Sequence, residues 1–452
     1  MRACTAIIAA LLWVSAATAD TIEDMEFRFC DEPGVRGLCS VLPNDISDFD
    51  SSFIYRFLSE GAQFPFDQFS WQTFVALNWP AEANGRPLAA RIGSAPEAPR
   101  RWQGLKPARI VLPLAGATDS CGPDDPERPT FSKFLQADGL PLIDRDLNYV
   151  VYDIRLDGAT AGYIEANGLA TRAGQKAFAQ AGQPVDFPRG HYDDRDRRSG
   201  GSLGAMVIKT AWRVLAAPAA AGDARYFTLA GRIAISGADS ADGRARCIEA
   251  RLALVGMHIA RRTRSGNGDR WIWSTFEHVD NAPLAENHRG PNDLFAQEYF
   301  PGGCRAPQTV ERDYAFYRHG CRDCTPNRIA PARWTWATAP PYAKAFAQTG
   351  GFGTQVTRCW RIWQGTSKLN LAWRRRLKGT VWANYRLLST QWRGNYGGEF
   401  FGHGEVPRYL SNPVIETFVQ DQKEGTCLGC HASAETTAGQ DADFSFLLQR
   451  AR

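Results

Sequence analysis

The sequence predicts an α+β fold: a large, mixed, β-rich body followed by a short helical segment at its C-terminal end. Six short runs rich in Val, Ile, Tyr, Trp and Thr, each bounded by Gly, Pro or Asp, lie between residues 109 and 278. Helical patterning is confined to a few stretches, and the character of the chain changes near Gly404. With 12% aromatic residues and 14 Trp in 452 residues, the chain can build a sizeable core, and no internal repeat divides it.

At the start, Met1 and Arg2 precede an apolar stretch from Ala6 to Ala17, and Ala17-Thr18-Ala19 offers a small-x-small cleavage signal before Asp20. Residues 1–19 therefore read as a cleavable export signal, and 20–403 as the body. The apolar stretch is too short to span a bilayer, and no later run reaches the roughly 18 apolar residues that a membrane span needs. Net charge is only +4, with basic residues dispersed, so nucleic acid is not an expected partner.

Within the body, Phe66 to Trp79 reads as an early helix because of its unbroken Phe-Val-Ala-Leu core. Strands are expected at 109–114, 148–156, 205–215, 224–235, 248–260 and 270–278. The polar, Gly-flanked stretch 189–201 reads as an exposed loop. In 366–392 the first half is a helix and the second half is open; Arg374, Arg375, Arg376 and Lys378 read as a solvated helix face. Beyond 404, Asn412-Pro413 suggests a helix cap and first turn, with Val414/Phe418 and Ile415/Val419 stacking at i, i+4 up to about Gly425. After a polar stretch, Phe444 to Leu448 is either a core-packing turn or a cover for an apolar surface.

The most informative residues are Cys427-Leu428-Gly429-Cys430-His431. Two cysteines spaced by two residues and followed at once by histidine form the c-type haem attachment pattern. Each thiol can add across a haem vinyl group, and the adjacent imidazole then lies under the porphyrin as proximal ligand. The competing reading is a disulfide or metal clip that happens to precede a histidine. Residues 404–452 are thus expected to hold one covalent haem c through Cys427, Cys430 and His431, in the periplasm.

Of the 11 cysteines, Cys4 lies in the export signal and two belong to the motif. The remaining eight suggest up to four disulfides in an oxidising compartment, with Cys30–Cys39 the pair favoured by its short Pro/Gly loop. Cys321 and Cys324, followed by Thr325, are not a second haem motif; they read as structural, with a redox-active dithiol as the other option.

No methionine follows Met257, so the usual downstream axial methionine is missing and the body must cover the other haem face or leave it open. Strand logic narrows the candidates. If 253–260 and 270–278 form a hairpin with an even register sum, His258 and His278 share a face and Met257 points away. His258 is the tentative distal ligand, with His278 beside it. The competing reading makes each a hydrogen-bonded structural histidine.

Three segments also carry a resemblance: Trp71-Gln72-Thr73-Phe74-Val75-Ala76-Leu77-Asn78-Trp79-Pro80, Trp273-Ser274-Thr275-Phe276-Glu277-His278, and Asn412-Pro413 through Cys427-x-x-Cys430-His431. Together they resemble a group of uncharacterised bacterial exported proteins with a C-terminal monohaem cytochrome c motif. The resemblance implies haem c at those three residues and a periplasmic setting; it implies no reaction. The sequence therefore supports a redox role, as electron carrier or as an oxidoreductase whose body binds a partner protein or small substrate. The alternative is a haem-based sensor that binds a small ligand at five-coordinate iron.

Overall fold

A computed structural model of the chain describes residue 30 and residues 38–46, 58–112, 120–123, 125, 127–191, 201–216, 218–264, 271–290, 303–320, 325–329, 334–343, 355–393, 405–423 and 425–452. The expected export signal lies outside these residues, as do Cys321, Cys324 and His403. Both helices and a large, mainly antiparallel sheet are present, with strands predominating, as the α+β expectation requires.

In chain order the elements that position the site begin with helix α1 (Leu58–Leu77) and strand β1 (Lys106–Pro107), followed by the short helix α2 (Ala108–Val111). Next come strands β2 (Thr130–Phe131) and β3 (Val151–Leu156), helices α3 (Gly158–Ala166) and α4 (Arg172–Gln180), and strands β4 (Met206–Val214), β5 (Thr228–Ile235), β6 (Arg246–Arg262) and β7 (Trp271–His278). A separate pair, β8 (Leu284–Arg289) and β9 (Arg358–Trp360), leads to helix α5 (Gln364–Arg376). Strands β10 (Tyr385–Arg393) and β11 (Glu405–Val406) and the short helix α6 (Cys427–His431) complete the set.

The nine-stranded sheet runs β1-β3-β4-β6-β7-β10-β11, with β5 on the first half of β6 and β2 parallel to β5. Strand β6 explains its own place. Its first half alternates in exposure against the edge, whereas Leu252 to Arg262 are buried throughout, as a central strand covered on both faces must be. One face receives α1 and α5. Trp71 stacks on Trp373 with ring centres 5.7 Å apart, and Phe74 stacks on Phe276 at 4.2 Å. Helix α1 is buried on every side, so its polar residues must find partners. Ser70 Oγ meets the hydroxyls of Ser274 and Thr390, each at 2.6 Å.

The opposite face is covered by residues 405–452. Gly256 makes room for this cover: a Cβ there would approach Val414 Cγ2 to 2.8 Å. Leu428, Phe444, Leu447 and Leu448 share one apolar cluster with Leu156, Ala260 and Trp271 of the body. The segment from 404 is therefore seated on the sheet rather than built around a core of its own.

Two local expectations change. The strand expected from Arg109 is a helical turn after Pro107, closed by Leu112 N–H donating to the Ala108 carbonyl at 2.8 Å. The helix expected after Asn412-Pro413 is a series of turns with a 3-10 element at Thr417–Val419. The cap itself forms, since Val414 N–H donates to Asn412 Oδ1 at 3.0 Å. Helix propagation then fails because Thr417 N–H donates to Gln136 Oε1 at 3.1 Å instead of continuing the ladder. The undecided second half of 366–392 supplies β10; Arg375, Arg376 and Lys378 are exposed as expected, whereas Arg374 is half-buried, its Nε donating to the Ala383 carbonyl at 2.6 Å.

Cys30–Cys39 is joined as expected, with two further disulfides, Cys121–Cys247 and Cys304–Cys359. Among the described residues no helix is long and apolar enough to cross a membrane.

Candidate haem-attachment site

Helix α6 is a single turn and a half, too short to be stable alone. It is held by neighbours. Thr426 caps it, its Oγ1 accepting from Gly429 N–H at 3.4 Å and from Gln391 Nε2 at 2.8 Å. Gln391, buried on β10, also accepts from Leu428 N–H at 2.7 Å and donates to the Pro407 carbonyl at 2.7 Å. One amide thus ties both ends of the approach to the motif.

Of the two motif cysteines, Cys427 is buried and Cys430 exposed. Cys427 packs with Leu388 and Leu410. His431 Nδ1–H donates to the Phe444 carbonyl at 2.7 Å, which leaves the lone pair on Nε2. Its ring lies 4.1 Å from that of Trp273 and 5.0 Å from that of Phe446. Burial first of all pushes the imidazole down to about 4, partly opposed by the Phe444 carbonyl and Glu416. It is neutral at ordinary pH, the state a metal ligand needs. Phe446 thus lies beside the motif histidine, while Phe444, Leu447 and Leu448 fill the core, as the core-packing reading expects.

The hairpin register needs correction. Strand β7 pairs Gly256 with Glu277 and His258 with Thr275, an odd sum. His258 therefore shares a face with Thr275, Glu277 and Trp273, the face that carries the motif. His278 and Met257 share the other. His278 is fully buried there. It stacks on Tyr226 at 3.8 Å, accepts from Asp280 N–H at Nδ1 (3.1 Å), and has Nε2 3.1 Å from the Arg225 carbonyl. Burial pushes it down to about 4. The structure thus brings His258, but neither His278 nor Met257, to the motif face.

His258 Nε2 lies 3.2 Å from Glu416 Oε2. Burial alone would raise the Glu416 carboxyl, yet His258 and Lys209 hold it below its ordinary range. Lys209 stands opposite His258 across β4, its ammonium 5.3 Å from the Tyr152 ring centre and lowered by burial. The other described histidines lie elsewhere: His191 beside Ser202, His288 against Arg361, and His319 against Asp313.

The donor set fits a covalently bound haem: two cysteines one turn apart, and a neutral imidazole whose Nδ1 is fixed by a carbonyl. Among the described residues no three His, Cys, Asp or Glu side chains cluster as a metal cage. Gln391 and Glu416 escaped sequence reasoning, which named Asn412 only as a helix cap and Phe444 only as an apolar side chain. Only Gln391 carried a hint, as a polar residue inside a Leu-, Thr- and Trp-rich strand. No family model, curated protein or solved structure matches the chain.

Proposed function

We propose that this chain is a periplasmic monohaem c-type cytochrome with a redox role, its haem attached at Cys427 and Cys430 and its iron held by His431. The observation that carries the proposal is the pair of cysteines on one capped helical turn beside an imidazole pinned through Nδ1 by the Phe444 carbonyl. Bound there, the haem would supply a one-electron iron couple. Phe444 fixes the tautomer and orientation of His431, and Trp273 and Phe446 shield its ring from water. Three disulfides elsewhere in the chain support an oxidising compartment. The body would present a redox partner protein or a small substrate to this site. His258 is the candidate for the distal side of the iron, a role in which it would exchange its contact with Glu416 for the metal.

That contact also favours a second reading, in which Glu416 retains His258 and five-coordinate iron binds a small ligand such as NO or CO. The test is intact mass of protein matured with its own export signal, with acid–acetone extraction and a CO-difference spectrum. One haem mass on the chain and unextractable pigment are expected, and both should be lost in Cys427→Ser/Cys430→Ser. Fully extractable pigment overturns the proposal; immediate CO binding by the wild type selects the second reading.

A further inference from the structure

Residues 405–452 cover the motif face of the sheet incompletely. Strand register sets Ile154, Lys209, His258 and Thr275 in one row across β3, β4, β6 and β7, and Val207, Ala260 and Trp273 in the next. Side chains of both rows point to the same side. Of these, Ile154, Val207, Lys209 and Trp273 stay half-exposed, as does Phe446 of the cover. Trp273 and Phe446 both touch the ring of His431, so the open apolar side chains form a shelf beside the motif. An apolar surface laid on that shelf would be stabilised by leaving water.

Positive charge borders the shelf. Lys209 stands in its first row, near enough for its charge to act on both Cys427 and His431. Lys133 faces Tyr152 across an antiparallel bridge and so projects to the same side, and the Tyr152 ring centre is 5.3 Å from the Lys209 ammonium. Arg450 ends the 3-10 turn Phe446–Arg450, the turn that sets Phe446 against His431. The three cations repel one another: burial first, then Arg450 and Lys209, push Lys133 down to about 7. Glu416 and Asp138 act on Lys209 through charge alone, and Glu416 already lies against His258. No acid among the described residues acts on Lys133 or Arg450. Half-buried cations without a counter-charge are costly, so the cluster calls for an anion.

We propose that this shelf seats the haem and that Lys133, Lys209 and Arg450 donate to its two propionate carboxylates. The inference rests on the cytochrome reading and adds to it the residues that orient the haem. A haem is an apolar plate with two carboxylates on one edge, and the shelf offers the complement, apolar beside the motif and cationic at its border. Two measurements on the full, matured protein test it. In the first, amine acetylation read by mass spectrometry compares the pigmented wild type with colourless Cys427→Ser/Cys430→Ser. Lys133 and Lys209 should react at least ten-fold more slowly in the pigmented protein, while Lys368, exposed on α5 at the opposite face, reacts alike in both. Equal rates at Lys133 and Lys209 overturn the inference. In the second, redox titration of Lys133→Met/Arg450→Met should give a lower midpoint potential than the wild type, because propionates without counter-charge favour ferric iron. Lys133→Arg/Arg450→Lys should restore it. An unchanged potential in a pigmented, folded Met variant overturns the inference and leaves the cytochrome reading standing; a wild type without covalent haem overturns both.

Discussion

Replacing Asn412 by Ala tests how the motif-bearing segment is fixed to the sheet. Asn412 is fully buried, and its Nδ2 donates to Thr275 Oγ1 at 2.8 Å and to the Phe276 carbonyl at 2.9 Å. Its Oδ1 accepts from Val414 N–H, closing the turn that lays Val414 and Ile415 over Gly256. Truncation removes three hydrogen bonds and strands at least the Val414 N–H in an apolar setting. At about 1 kcal/mol per bond, with a further desolvation penalty of about 1 kcal/mol, the loss should be about 4 kcal/mol. Urea unfolding followed by tryptophan fluorescence measures it, and limited proteolysis should show new cleavage within 405–426. Asn412→Asp is the control. It keeps the acceptor for Val414 but sets a carboxylate oxygen against the Phe276 carbonyl, so it should destabilise at least as much at neutral pH. A loss below about 1 kcal/mol in Asn412→Ala, with unchanged proteolysis, would refute the idea that this amide anchors the segment.

Further predictions concern pH, cross-links and the two histidines. Burial raises Asp67 to about 6, with Thr366, Gln63 and Thr390 opposing it. Because the folded value exceeds the unfolded one of about 3.9, the proton stabilises the fold at low pH, and about 3 kcal/mol is lost as pH rises through 6. Asp67→Asn should remove that slope; the difference between wild type and variant in urea unfolding at pH 4.5 and 7.5 checks it, and an unchanged slope refutes it. Cys121→Ala/Cys247→Ala opens a cross-link spanning 126 residues and should cost about 5 kcal/mol by loop-closure entropy, read as a lower urea midpoint. In pigmented protein, His258→Ala should shift the Soret band and change CO binding, whereas His278→Ala should lower stability and leave the spectrum alone. The reverse pattern would show that the wrong face had been assigned to the haem.

Much of the fold was legible because the strands carry strong local signals. The runs at 148–156, 205–215, 224–235, 248–260 and 270–278 all fall on strands, and Phe66–Trp79 largely on α1. Register was not legible. The parity of β6 against β7 is not fixed by turn-forming residue types alone, and one residue of slip moved His278 off the face that His258 keeps. The stretch after Asn412 misled for a different reason. Its i, i+4 apolar pairs are real, but Gln136, 281 residues away in sequence, takes the backbone donor that a helix would need. At the site, the motif cysteines and His431 stood out by spacing alone. The clamp formed by Gln391 and the carboxylate of Glu416 did not, since their partners, Pro407, Thr426 and Leu428 for the one and His258 for the other, are brought near only by the fold.

The closed surroundings of Cys427 impose an order of events. Its sulfur lies under Leu388 and Leu410, and burial raises the thiol well above its ordinary range, so the reactive thiolate is all but absent once the segment is seated. The sheet that forms its floor is drawn mostly from residues before 394, with only β11 contributed by the segment. Any chemistry at this sulfur therefore precedes seating of the segment. If the proposed haem is attached here, seating the segment would act as a latch that must close after attachment, and a chain that latched early would stay colourless.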